Sequence, residues 1–284
     1  MHPLKLPPLS EWQDFLDAAT TEPSIDNGAS RRVDAEWQKA SWDEALRLAV
    51  DGWPVPLEDT HVTVGELRER AGLTHPVTML EPVWDTTGAE VDVGAYLAGV
   101  PECMVDAVPR RVSRRGKVVT FLVPAGYSHF IEHDVIINRG LALATLCAAI
   151  IDAGHSVEVW SGDAGFLELS GDKHRYSGVA RVLAAGEPLD LGRLIFAVAH
   201  PSMLRRLWFG VWDAQPAAVA GAMVDNAYGV PPFTCLAEDL PAEITDPYVF
   251  PYLTAEDRQW DDLPTALSWS TAMFADLGLI QAVS

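Results

Sequence analysis

The sequence predicts an α/β protein built on a mainly parallel sheet flanked by helices, and three observations carry that prediction. Residues 118–123, Val-Val-Thr-Phe-Leu-Val, form an apolar run rich in β-branched side chains, bounded by Arg115-Gly116 and by Pro124-Ala125-Gly126. That is the pattern of a strand covered on both faces. Residues 135–153 are almost wholly apolar and stop at Gly154. They suffice for about five helical turns, and glycine suits the left-handed C′ position. Val157-Glu158-Val159-Trp160 follows at once as a second strand. Strand, helix and strand make a βαβ unit, whose crossover leaves the two strands parallel.

Composition narrows the function classes. The chain has 284 residues, 49% of them hydrophobic, which supports a sizeable core and argues against global disorder. Forty acidic residues against 20 basic ones give a net charge of −20, so the chain repels phosphate backbones and nucleic acid is not an expected partner. The acidic residues are scattered as on a solvated surface, and a DNA-mimicking role is the sharper alternative. Cys103, Cys147 and Cys235 are far apart, odd in number and without zinc spacing, which fits a reducing, cytoplasmic compartment. The N-terminus lacks a secretory h-region. The longest apolar run, 135–151, is interrupted by Asn138 and Arg139 and reads as a core helix, with no membrane span expected.

Residues 1–75 read as a helical, Trp-containing extension and residues 76–284 as the α/β domain. A short amphipathic helix is expected over 10–19, with Ser10 and Gln13 resembling a capping box, then a polar linker to residue 30. Ser41-Trp42-Asp43-Glu44 is a better box and opens a helix over 42–50. Another short helix is expected over 62–71. Residues 76–108 read as irregular: 76–84 extended, at an edge because of Pro82, then a turn at 85–89, then a short helix or strand ending at Gly99. Arg110, Arg111, Arg114, Arg115 and Lys117 form the dense basic cluster, read as a solvated loop.

Beyond Trp160, residues 161–165 read as a loop, and 166–169 with 176–183 as an antiparallel hairpin around Gly171-Asp172. Asp190 caps a helix over 191–199, which His200-Pro201 interrupts because the residue before proline disfavours the α region. A second helix runs from Ser202 to about Trp212. Its Met203, Leu204, Leu207 and Trp208 face the sheet, and Arg205 and Arg206 are expected in solvent. One more short helix is expected over 217–224, a last edge strand over 248–253, and a final helix over 263–277 capped by Asp262 or Asp261 and closed by Gly278.

This order of elements resembles a von Willebrand factor A-type domain over roughly residues 117–280, a Rossmann-like architecture. Residues 117–123 match the family's central strand, 139–160 its first helix and next strand, and 188–199 the stretch that supplies its third metal-site loop. The resemblance implies a protein-binding domain whose ion site follows the first strand as Asp-x-Ser-x-Ser. Here that loop is Pro124-Ala125-Gly126-Tyr127-Ser128. Only Ser128 matches, so the ion site is degenerate, because a hard divalent cation needs several oxygens. Asp85-Thr86-Thr87-Gly88-Ala89 is closer in letters but lacks the last hydroxyl and reads as a turn. Residues 84–103 and 187–206 are also similar to proteins of actinobacterial phages and mobile elements, which implies a cytoplasmic or virion-associated accessory protein.

In open α/β sheets ligands bind outside the carboxyl ends of the strands. The binding rim expected there comprises Tyr127, Ser128, His129, Glu132, His133 and Asp134, joined by Asp190 and Asp257. Ser161, Asp163, Tyr252, Thr254 and Glu256 are expected near it. His129-Phe130-Ile131-Glu132-His133 is the inverted zinc-peptidase pattern. It supplies an alternative class, a zinc hydrolase with His129 and His133 as ligands and Glu187 or Glu238 as candidates for the third. Ser128 with a neighbouring His and Asp could form a triad, but no Gly-x-Ser-x-Gly elbow frames it. No phosphate loop or dinucleotide fingerprint is present, and no cofactor is expected. The preferred reading is a non-catalytic binding protein with a protein partner; a structural virion component is a third class.

Overall fold

A computed structural model describes residues 4–32, 35–53, 65–66, 78–111, 117–127, 131–226, 228, 233 and 235–278. The expected βαβ unit is its centre. Strand β5 (Val118–Pro124) leads into helix α5 (His133–Asp152), which returns to strand β6 (Ser156–Leu169). Val119, Phe121 and Val123 of β5 face one layer, and Leu122 faces the other. Alternation with both sides buried is why the run is continuously apolar. Gly154, at φ +87°, ends α5 as expected. This helix is long and apolar enough to cross a membrane, but most of its residues are buried inside the protein, as suits a core helix.

Three further strands complete this sheet: β1 (Leu4–Lys5), β7 (Asp172–Leu183) and β8 (Tyr248–Val249), in the order β1-β7-β6-β5-β8. The pairs β1·β7, β5·β6 and β5·β8 are parallel, and only the β6–β7 hairpin is antiparallel. Strand β6 does not stop at Trp160. It continues through residues 161–165, expected to be a loop, and the hairpin turns at Ser170-Gly171. The final strand is shorter than the expected 248–253; beyond Val249 the Phe250 amide still donates to the Leu122 carbonyl at 2.9 Å, and Tyr127 and Leu253 form an isolated bridge.

Helix α6 (Leu191–Ala199) packs on α5, as does α9 (Leu263–Asp276). Asp190 Oδ1 accepts from the Arg193 amide at 2.9 Å, and Asp262 Oδ1 from the Thr265 amide at 2.8 Å, the expected caps. After His200 the chain forms a π-helix (Met203–Trp208) that runs into α7 (Phe209–Asp213), then α8 (Ala217–Asn226). The other face of the sheet is covered by an irregular segment carrying Cys235 and Leu240.

The described N-terminal residues hold α1 (Trp12–Thr20), α2 (Ala35–Gln38) and α3 (Trp42–Asp51). Ser41 caps α3 as expected, whereas Glu11 rather than Ser10 precedes α1, with Asp14 Oδ2 accepting from its amide. Phe15, Leu48 and Trp53 belong to the same core as α5 and α6. The segment is also bolted down by buried cations, which corrects the expectation that Arg205 and Arg206 are solvated. Arg206 donates to the carbonyls of Ser30, Arg32 and Ala40 at 2.7, 2.8 and 3.0 Å, and Arg205 to that of Trp37. Ser30 donates from its amide and hydroxyl to Asp213 Oδ2. The expected helix over 62–71 lies almost entirely outside the described residues.

Within the stretch expected to be irregular, the described residues 78–108 form regular elements. Strands β2 (Thr78–Asp85), β3 (Glu90–Val91) and β4 (Met104–Arg111) form a second, antiparallel sheet in the order β2-β4-β3, with α4 (Val93–Leu97) between β3 and β4. Pro82 lies on an edge strand, where a missing amide is tolerated. Arg110 and Arg111 sit in β4, opposite Met79 and Thr78.

Candidate functional site

The carboxyl edge of β5 gathers part of the expected rim. Tyr127 pairs with Leu253 in an isolated parallel bridge. Glu132 is the extended N-cap of α5, and His133 and Asp134 are the first exposed residues of that helix. Asp257 joins them: its Oδ2 accepts from the Thr254 amide at 2.6 Å, and its charge acts on Arg139 of α5. Asn138 of α5 donates to the Trp260 carbonyl at 3.0 Å, fixing this segment to the same helix. Ser128 and His129 lie outside the described residues.

Asp190 does not join the rim. The antiparallel β7 carries the chain back toward the opposite edge, so α6 starts away from the rim and ends near it. The nine residues of α6 separate Asp190 from His200 by about 15 Å along the axis. It is His200 that reaches the carboxyl edge, with its ring 4.6 Å from that of Trp53, which in turn lies 6.1 Å from that of His133. Ser161 and Asp163 are not on the rim either. Both are buried in β6, where Ser161 Oγ accepts from Trp208 Nε1 at 3.3 Å and Asp163 Oδ2 from Trp212 Nε1 at 2.8 Å.

Electrostatics at this edge favour neutral imidazoles. Burial depresses His200 to about 4, helped by the nearby His133, and Nδ1 of His200 accepts from the Ser202 amide at 3.1 Å. Burial also lowers His133, against the opposing pull of Asp134. Ser202 Oγ lies 2.7 Å from His200 Nδ1, but the serine is fully buried, and the same Nδ1 accepts from the Ser202 amide, a local contact between side chain and backbone at the turn that leads into the next helix. The Arg205 guanidinium stacks over Trp37 at 4.5 Å and over Tyr127 at 5.6 Å. The zinc-peptidase pattern needs both imidazoles on one helical turn. Glu132 is extended and α5 opens only at His133, so that turn is interrupted. Among the described residues no three His, Cys, Asp or Glu side chains gather to hold a metal ion.

A different surface stands out, and sequence reasoning missed it. No residue between Val83 and Asp106 is buried. Val93, Tyr96 and Leu97 share one face of the short helix α4, and Val100 follows just past its end, beyond Gly99 at φ +72°; Tyr96 is 64% and Leu97 79% exposed. Trp84 and Val91 of the adjoining strands are about half exposed. Trp84 Nε1 donates to Asp92 Oδ2 at 3.1 Å, and Asp92 Oδ1 accepts from the Ala95 amide, so strand and helix are held together. A three-stranded sheet ordinarily needs a covered apolar face for its stability. The signal present in the sequence was amphipathic spacing without a second apolar segment to cover it.

Fold and surfaces together define an α/β protein with a mainly parallel sheet and a small antiparallel sheet that carries, with α4, exposed Trp84, Val91, Tyr96 and Leu97. The chain belongs to the family described as Domain of unknown function (DUF7192), whose profile matches residues 3–281. No curated protein and no solved structure matches it.

Proposed function

We propose that this is a non-catalytic binding protein that engages a protein partner through the apolar surface of Trp84, Val91 and the α4 face. The single observation that carries the proposal is the cluster of exposed apolar side chains at Val93, Tyr96 and Leu97 of α4 and at Val100 just after it, since contiguous exposed apolar side chains mark interaction sites. The carboxyl-edge rim is the secondary contact in this reading. The von Willebrand A-like assignment belongs to the same proposal. The interior position of β5 and the succession of helix, strand, hairpin and helix support it. An accessory role of the kind that the phage-protein likeness implies is part of the same proposal.

The test is selection of a displayed random peptide library on the full chain, with the Tyr96→Ser/Leu97→Ser variant as counter-target. The proposal predicts peptides that bind the wild type and lose the variant. Recovery only of peptides that bind both equally contradicts it.

A further inference from the structure

We infer that the partner segment is amphipathic, with an apolar face flanked by lysine or arginine. The inference rests on the binding role proposed above and concerns the same surface. Between residues 76 and 109 the chain carries Glu81, Asp85, Glu90, Asp92, Glu102 and Asp106 and no lysine or arginine. Asp85 pairs with Met104 and Glu90 with Val105, so both border the end of the sheet from which α4 projects. Asp92 caps α4 itself, and its carboxyl is held below the usual range by the Ala95 amide and then the Trp84 indole, which keeps it charged. Among cations of this sheet, Arg110 and Arg111 stand at the far end of β4, opposite Met79 and Thr78. Six residues of strand, roughly 20 Å, separate Arg110 from Met104.

An apolar face inside an acidic frame selects partners by charge. A second copy of this chain would bring two acidic frames together, and each copy carries −20 overall. Like-charge juxtaposition of that kind opposes pairing, whereas lysine or arginine beside an apolar face complements the frame and speeds encounter. An anionic bilayer surface is disfavoured on the same ground. A basic amphipathic helix or strand satisfies both the stripe and its border, with main-chain or side-chain docking on α4.

The test uses the full chain and three labelled synthetic peptides followed by fluorescence anisotropy. One peptide has a leucine face flanked by lysines, one the same leucine face flanked by glutamates, and one keeps the lysines with serine in place of leucine. The leucine–lysine peptide is expected to bind the wild type. Its affinity should fall at least about tenfold in Tyr96→Ser/Leu97→Ser, which leaves the net charge unchanged, and should weaken from roughly 50 to 500 mM NaCl. The leucine–glutamate peptide should not bind, and the serine–lysine peptide should not distinguish wild type from variant. Equal binding of both leucine peptides to the wild type, lost in the variant, overturns the charge inference and leaves the binding surface standing. Binding of the leucine–lysine peptide that ignores the variant overturns both. A dimer in sedimentation that the variant abolishes makes a second copy the occupant and overturns the inference. Circular dichroism of the variant should match wild type, because both side chains are exposed.

Discussion

Trp84 and Asp92 join β2 to the cap of α4 through an indole-to-carboxylate hydrogen bond of 3.1 Å. The same carboxylate accepts from the Ala95 amide, so one side chain orients both the strand end and the helix that present the apolar stripe. Replacing it should loosen the stripe without touching the main core. Asp92→Ala is expected to speed amide exchange over residues 93–97, while Asp92→Asn, which still caps, should retain most of the protection. Equal exchange in both variants would remove Asp92 from this role.

Arg206 satisfies three main-chain carbonyls of the N-terminal segment while itself 3% exposed. Arg206→Met fills much of the volume but leaves those acceptors unpaired. It should cost on the order of 2–4 kcal/mol in urea unfolding and open residues 24–40 to proteolysis. Retention of full stability would mean that water replaces the guanidinium.

Two buried groups give opposite pH slopes. Burial raises Asp163 from the ordinary 3.8 to about 7, and the Trp212 indole only partly offsets that. Between those values the folded chain binds more protons than the unfolded one, so this term falls as pH rises toward 7. Burial lowers His200 from 6.5 to about 4, so its term is complete above 6.5 and is lost as pH falls to 4. The two windows overlap, so the terms offset each other across most of that range. Asp163→Asn should leave the histidine term, making stability rise more steeply with pH between about 4 and 6.5, and His200→Phe should leave the aspartate term, making it fall toward 7, each by up to about a few kcal/mol. Superimposable profiles for wild type and both variants would contradict the assignment.

Arg175 clamps Asp239 with two hydrogen bonds of 2.7 and 2.5 Å, tying the β6–β7 hairpin to the segment that carries Cys235. Asp239 is 1% exposed, so losing it strands a partly buried guanidinium. Asp239→Ala should expose Cys235 and raise its alkylation rate at least about tenfold over wild type, with Cys147 unchanged as the internal reference. Equal rates at Cys235 would show that the clamp does not hold this segment.

The βαβ centre was legible because β-branched runs and a long apolar helix are local signals. Where the outcome departs from the sequence, tertiary packing overrides local preference. Residues 161–165 have the composition of a turn, yet a Cβ at Gly162 would lie 2.5 Å from Cys235 Sγ, and one at Gly165 2.6 Å from the Tyr176 hydroxyl. Small residues are needed there because covering groups approach the strand. Asp163 looked like a rim residue because nothing local announces its Trp212 partner, 49 residues away. Arg205 and Arg206 looked solvated because their acceptors are carbonyls some 170 positions earlier. The rim lost Asp190 because the direction of α6 depends on β7 being antiparallel. The small sheet was obscured by Pro82 and by the glycines at 88, 94 and 99.

The most direct test of the binding surface is hydrogen exchange on the full chain with and without the leucine–lysine peptide. The account predicts slowed exchange at residues 84–85 and 91–100 on binding, with no change at 131–140, where α5 begins. Protection at 131–140 with none in the small sheet would contradict it and return the interaction to the carboxyl edge.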